Sequence, residues 1–333
     1  MSPEAKRFYP SPENRGEIKP NARLYAGQGS QYPGMGSELY EVHPLAHKIY
    51  TQADRISRRM GVQRITGLSF EADEQTLMQT ENAQPVILTH NYVCEQLLTQ
   101  QEANGYTATP RALAGSSLGE YNTLITSGAM SFENVLKLVI IRGKLMAQAD
   151  TLNPGGLVAV RIDDNDPRLE QAQKMFNLGI SLINTNNQVI FGGRTTDIQN
   201  AIQWFKDNNI NQSLLPVKGA FHTSLMQPAV EDFSDILESF PIKKAKIPIV
   251  ANTTASPIQT PSEIRKELVD QLCNTVLWKD SIVHITGSGV ELMFEPGNDR
   301  AILSGMSEKI SGGKITRRFF PGVPSSAWAL KST

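Results

Sequence analysis

The pentapeptide Gly115-Ser116-Ser117-Leu118-Gly119 fits the pattern G-x-S-x-G, with Ser117 at its centre. A short apolar run enters it, and a helix-forming stretch from Leu118 to Ile125 leaves it. That is the strand-turn-helix context of a nucleophile elbow. Such a turn forces the serine into a strained backbone conformation, so its neighbours must be small, and glycine suits both flanks. The hydroxyl then sits at a helix N-terminus, beside backbone N–H groups that can hold an oxyanion. The chemistry this predicts is acyl transfer through a serine ester.

A serine nucleophile needs a base, and the chain has five histidines. His222 lies in Gly219-Ala220-Phe221-His222-Thr223-Ser224, a loop without helical periodicity that can face a cleft. His90 falls on an apolar helix face and reads as a core histidine. His43 and His47 fall on a polar helix, and His284 follows a tryptophan-containing helix as a structural residue.

Arg142 is the most informative residue after Ser117. In a helix over about 132–149, its neighbours at three, four and seven residues are Val135, Leu138, Val139, Leu145, Met146 and Ala149. All are apolar, so the arginine points into the interior. A buried guanidinium stays charged and costs several kcal/mol unless an anion pairs with it. Two readings stand: an internal ion pair with an Asp or Glu, or a grip on the carboxylate of a substrate.

Those residues need elements to carry them. Residues 1–21 are polar, contain Pro3, Pro10, Pro12 and Pro20, and read as a flexible lead-in. A strand at 22–26 runs into the glycine-rich loop Gly27 to Gly36, and a helix follows from Ser37. The loop lacks the spacing of G-x-G-x-x-G and the Lys-Ser/Thr ending of a Walker loop, so nucleotide binding is a weak reading. It is placed instead to bring a backbone N–H beside the serine, opposite that of Leu118. Helical periodicity returns over 83–99, and Ser131 caps the Arg142 helix. The pattern changes at Asn153-Pro154-Gly155-Gly156. Residues 153–217 then run strand, helix, strand, strand, helix, strand, the order of a ferredoxin-like unit. The expected fold is α/β: a large domain of mainly parallel strands over 22–152 and 218–333, interrupted by a small α+β insert over 153–217.

The whole chain narrows the function classes. At 333 residues it can bury a large core. A net charge of −1 gives no overall basic field to recruit nucleic acid or anionic membrane. No apolar stretch approaches the roughly 20 residues that span a bilayer, and the first ten residues lack the apolar core of a signal peptide. Cys94 and Cys273 lie in apolar segments with no C-x-x-C spacing, which predicts neither disulfide nor zinc and suits a reducing cytoplasm.

Together these segments resemble the malonyl-CoA:acyl carrier protein transacylase family, including the free-standing acyltransferases of polyketide synthases. The similarity runs from about Leu24 to Lys309 and rests on eight motifs in order: GQGSQYPGMG, ENAQPVI, AGSSLGEYNTL, RGKLM, NTNNQVIFGG, GAFHTSLM, PIVANTT and TVLWKDSI. The resemblance implies an α/β-hydrolase-like large domain with a ferredoxin-like insert. It implies that Ser117 is malonylated, that His222 takes and returns its proton, and that Arg142 clamps the malonyl carboxylate. It pairs the N–H of Gln28 with that of Leu118 in an oxyanion hole, and it gives Asn252 the role of orienting the histidine through its main-chain carbonyl. Gln84 matches a glutamine near the site.

Ser116 stands where the family usually has histidine, Ala26 where it has proline, and Pro296-Gly297-Asn298-Asp299 departs from a usual Gly-Pro turn. Phe221 beside His222 resembles malonyl-selecting enzymes, since a phenyl ring there crowds a methyl branch. The implied partners are malonyl-CoA and a separate acyl carrier protein, which should dock on a basic patch near the cleft mouth. A CoA thioester is a substrate, and no cofactor or metal is expected. A monomer in the cytoplasm, serving polyketide or fatty acid synthesis, is the expected setting. The first rival is an acyl-carrier thioester hydrolase on the same scaffold. The second is a generic esterase with Asp163 or Asp197 as its triad acid, and the third a non-catalytic scaffold.

Overall fold

The computed structural model of the protein describes residues 19–103, 109–297 and 301–320. Ten strands in these residues form two sheets. Six of them, β1 (Asn21–Tyr25), β2 (Ala112–Gly115), β7 (Ile249–Val250), β8 (Pro257–Ile258), β9 (Leu292–Pro296) and β10 (Thr316–Phe320), form one sheet in the order β10-β9-β1-β2-β7-β8. All its pairings are parallel except that of β8. Both central strands, NARLY and ALAG, are buried at every position. ALAG is small or apolar throughout, and in NARLY even the polar Asn21 and Arg23 are buried, as in a sheet covered on both faces. The register runs from Ala22 opposite Ala112 to Tyr25 opposite Gly115. Both strands therefore end at the same edge, and the 26–30 loop and the Ser117 turn emerge side by side there. Ligands of open parallel sheets bind at this carboxyl edge.

The other four strands are β3 (Gly155–Arg161), β4 (Gly179–Thr185), β5 (Gln188–Arg194) and β6 (Asn211–Leu214). They form an antiparallel sheet in the order β4-β5-β3-β6. Helices Arg168–Phe176 and Thr195–Asp207 alternate with them in the predicted element order. Side chains alternate across this sheet with period two. Val158, Val160, Val189 and Phe191 meet Leu169, Ala172, Ile198 and Phe205 in a core of their own. Leu157 and Ile190 point the other way and join the main core.

The helix carrying Arg142 spans Phe132–Leu152, three residues past the expected end, and the Ser131 hydroxyl accepts from the Asn134 N–H. A Cβ on Gly143 would lie 2.9 Å from the Glu81 Cα, so glycine there lets helix Thr80–Ala103 pack against this one. That contact sets Gln84 beside Arg142.

One boundary differs from the sequence reading. Residues 1–18 of the lead-in lie outside the described residues, but Asn21 is already the first residue of β1. The Pro20 carbonyl accepts from the N–H groups of Glu291 and Leu292, which stitches residues 20–21 to the edge of β9. Of the unusual turn after β9, Asn298 and Asp299 also lie outside the described residues. Gly297 has φ +84°, and a Cβ on it would lie 2.4 Å from Asn91 Oδ1.

Candidate active site

Ser117 follows β2 and precedes helix Gly119–Thr126, with φ +52°. This is the strained left-handed turn that the pentapeptide predicts, at a cost of about 1–3 kcal/mol. The two glycines are needed for close approach. A Cβ on Gly115 would lie 2.1 Å from the Gly119 carbonyl carbon, and one on Gly119 would lie 1.9 Å from the Tyr25 oxygen. Hydrogen bonds from Asn252 hold the turn. Its Oδ1 accepts from the Ser117 N–H at 2.7 Å, and its Nδ2 donates to the Gly115 carbonyl at 2.7 Å.

The His222 Nε2 lies 2.7 Å from Ser117 Oγ, so the base predicted from its loop meets the nucleophile. His222 also has positive φ, at +60°. Its Nδ1 donates to the main-chain carbonyl of Gln271 at 2.6 Å. This corrects the role given to Asn252. The Asn252 carbonyl accepts from the Leu277 N–H instead, and its side chain is committed to the elbow. Burial first, then the nearby Arg142 charge, pushes the His222 pKa down to about 3, against the opposing pull of the Gln271 carbonyl. The imidazole is therefore neutral near pH 7 and ready to accept the Ser117 proton.

Arg142 is 1 % exposed. Its Nη1 donates to Gln84 Oε1 at 2.8 Å, and its Nη2 to Gln271 Oε1 at 2.9 Å and to Ser117 Oγ at 3.4 Å. The guanidinium also lies over the Tyr121 ring, 5.1 Å from its centroid. Among the described residues no carboxylate forms an ion pair with it, and its Nε has no partner. Its partners are neutral amides and the serine hydroxyl. Of the two readings left open by the sequence, an ion pair in direct contact is absent among the described residues, and the Glu120 carboxyl acts on the guanidinium only through its charge at a distance. Burial lowers its pKa, yet a guanidinium stays charged at neutral pH.

These side chains line a cavity of about 350 Å³ between the two sheets. Gln28, Ser116, Ser117, Arg142, Phe221 and His222 all border it. Leu157, Ala159, Leu182 and Ile190 of the small sheet form an apolar wall, joined by Ile302, Leu303 and Met306. The loop before Gln28 presses on the elbow, since a Cβ on Gly27 would lie 2.3 Å from the Ser116 oxygen and 3.5 Å from the Leu118 nitrogen. The Gln28 side chain turns to Thr80, with Nε2 3.3 Å from its Oγ1. Ser116 faces the cavity half-buried.

Two residues of the site escaped the sequence reading, Gln271 and Glu120. The Gln271 Nε2 donates to the Ser117 carbonyl and to Glu120 Oε2. Glu120 Oε1 accepts from the Asn252 N–H. Burial, then repulsion from Glu267, raises the Glu120 pKa above the usual carboxylate range, against the opposing hydrogen bonds from Asn252 and Gln271. The other histidines lie elsewhere. His90 is buried against Tyr50 and Cys94, His43 caps a helix, His47 stacks on Tyr40, and His284 is exposed. Neither aspartate of the esterase rival reaches His222. Asp163 accepts from Asn165 in an exposed turn, and Asp197 lies in the first turn of a surface helix.

The family model for the acyl transferase domain matches residues 24–312. A malonyl CoA-acyl carrier protein transacylase of Bacillus subtilis is 32% identical over 295 residues, 87% of this chain and 90% of that protein. A polyketide biosynthesis malonyl CoA-acyl carrier protein transacylase of the same organism is 32% identical, covering 86% of this chain and 96% of its own. Among solved structures, a malonyl-CoA:acyl carrier protein transacylase of Xanthomonas oryzae superposes with TM-score 0.85 at 28% identity, over 95% of this chain and 98% of that one. A malonyl-transacylase solved in complex with its type II polyketide synthase acyl-carrier protein gives TM-score 0.84 at 26% identity, over 93% and 99%. A model match over most of the chain, and relatives of 32% identity over nearly all of their own length, show that the chain belongs to the acyl transferase domain family.

Proposed function

We propose that this protein moves a malonyl group from malonyl-CoA, through an ester on Ser117, to the phosphopantetheine thiol of a separate acyl carrier protein. One observation carries the choice of acyl group: a buried guanidinium with no carboxylate in contact among the described residues stands 3.4 Å from the nucleophile oxygen. The free carboxylate of a malonyl thioester supplies the missing anion, and a plain acyl group does not.

In the first half-reaction His222 Nε2 takes the Ser117 proton as Oγ attacks the thioester carbonyl. The N–H groups of Leu118 and Gln28 receive the oxyanion, a role supported by the press of Gly27 on the elbow. Collapse expels CoA as thiolate, and His222 returns the proton to it. The carrier's thiol then attacks the malonyl-serine ester by the same steps in reverse. Each half breaks one acyl bond and forms one, so no redox group or metal enters the scheme. Phe221 and Ser116 both border the cavity, and the bulk of the one and the smallness of the other are read as shaping which acyl groups fit.

The large domain reads as α/β-hydrolase-like, supported by its parallel sheet and elbow. The 153–217 unit reads as a ferredoxin-like subdomain, supported by the β4-β5-β3-β6 order and its separate core. A monomer acting in the cytoplasm is the setting proposed. No helix among the described residues is long and apolar enough to cross a membrane.

The test is to incubate the protein with malonyl-CoA and a phosphopantetheinylated carrier and to weigh both proteins by mass spectrometry. The expected products are a malonyl adduct on Ser117 and then malonyl-carrier. Free malonate with no malonyl-carrier would make the protein a hydrolase instead.

A further inference from the structure

Gln271 has groups that meet the base, the guanidinium and the nucleophile's own peptide. Its main-chain carbonyl takes the His222 Nδ1 proton, and its side-chain Oε1 accepts from Arg142 Nη2. Its Nε2 is held by the Ser117 carbonyl and Glu120 Oε2. Gln271 is fully buried, so the amide has no solvent to turn towards. Glu120 Oε2 accepts one amide hydrogen and the Ser117 carbonyl the other. Both hydrogens of Nε2 are thus placed, and the amide orientation is fixed. Oε1 must then face the guanidinium.

We infer that the Gln271 side chain is a positioning and specificity-determining residue, which orients Arg142 for a carboxylate acyl group without setting a carboxylate against it. The inference rests on the proposed malonyl transfer. Two amide oxygens, from Gln84 and Gln271, each take one N–H from a different terminal nitrogen. That fixes the plane of the guanidinium without neutralising it. A carboxylate at either position would hold the arginine equally well, but it would compete with the substrate for the same charge. The neutral amide at 271 is therefore the feature that keeps this arginine available.

Gln271→Glu replaces the amide with a near-isosteric carboxylate, and Gln271→Met removes the hydrogen bonds without adding charge. The loading of Ser117 from malonyl-CoA and from acetyl-CoA is measured for both variants and the wild type, with thermal melts alongside. A common loss from disturbed packing or an altered His222 cancels in the ratio of the two rates. The expected result is a malonyl-to-acetyl ratio that falls about 10- to 100-fold in Gln271→Glu, the span of one hydrogen bond to a charged group. The loss should lie mainly in the malonyl KM, with a smaller fall in Gln271→Met. If both variants lose malonyl and acetyl loading by the same factor, Gln271 is only structural and the inference fails. Equal ratios in the Glu and Met variants would likewise overturn the charge argument. A wild type with no preference for malonyl-CoA would instead bring down the proposed function, and this inference with it.

Discussion

Among the described residues two arginines lie in the interior, and their surroundings differ in one respect. Arg23, in the centre of β1, is 0 % exposed, sits 4.6 Å from the Phe294 ring centroid, and meets the Glu95 carboxylate at 3.5 Å. Arg142 is as deeply buried and also lies over an aromatic ring, yet its anchors are two amides and a hydroxyl. A buried charge that the fold has already cancelled belongs to the fold. One left uncancelled in a cavity wall needs an anion from outside. The first arginine is architecture, and the second is the binding group we propose.

This contrast breaks most visibly on stability. Arg23→Met leaves the Glu95 carboxylate buried without its partner, and should cost about 3–5 kcal/mol in urea melts. Arg142→Met removes an uncancelled charge as well as its hydrogen bonds, so its loss should be clearly smaller. Equal losses would erase the distinction.

The pH dependence sharpens it. Burial already raises the Glu95 pKa, and Arg23 opposes that rise. Without Arg23 the folded-state pKa climbs further above the unfolded value. Stability of the variant is then fully present below the unfolded pKa and is lost as pH rises through the folded one. Arg23→Met should therefore be closer to wild type at pH 5 than at pH 8, in melts at both. Arg142→Met should show no such convergence.

The site itself offers two smaller tests. Asn252→Ala leaves the buried Ser117 N–H and Gly115 carbonyl without their partner, and should cost about 1–3 kcal/mol while slowing acyl loading. An unchanged melt would show that the elbow holds itself. Phe221→Ala should relax discrimination against methylmalonyl-CoA by about 10-fold, the scale of one methyl group in a pocket, as read by competing the two thioesters for Ser117.

The same contrast explains what the sequence disclosed. Arg142 was legible because every helical neighbour is apolar, which settles burial, but no spacing tells whether an acid awaits it inside. Ser117 was legible because its glycines answer a local steric demand, as the contacts of Gly115 and Gly119 bear out. The insert's elements could be read because period-two and period-3.6 patterns alternate cleanly over 155–214. Gln271 was hidden. It follows helix Pro261–Asp270, 154 positions from Ser117, and one of its working atoms is a backbone oxygen that any residue carries. The misplaced role of Asn252 has the same origin, since a motif marks a position without saying which of its atoms points at the histidine. The long-range order of the parallel sheet, with β9 and β10 returning beside β1, was likewise beyond local pattern.

The central claim, that Arg142 awaits a substrate carboxylate, is tested most directly by intact-protein mass spectrometry of Ser117 loading in wild type and Arg142→Ala, with malonyl-CoA and acetyl-CoA supplied in competition. A wild type loaded almost wholly with malonyl, and a variant whose malonyl adduct falls about 100-fold while the acetyl adduct persists or grows, is the predicted outcome. A variant that keeps the full malonyl preference would contradict it.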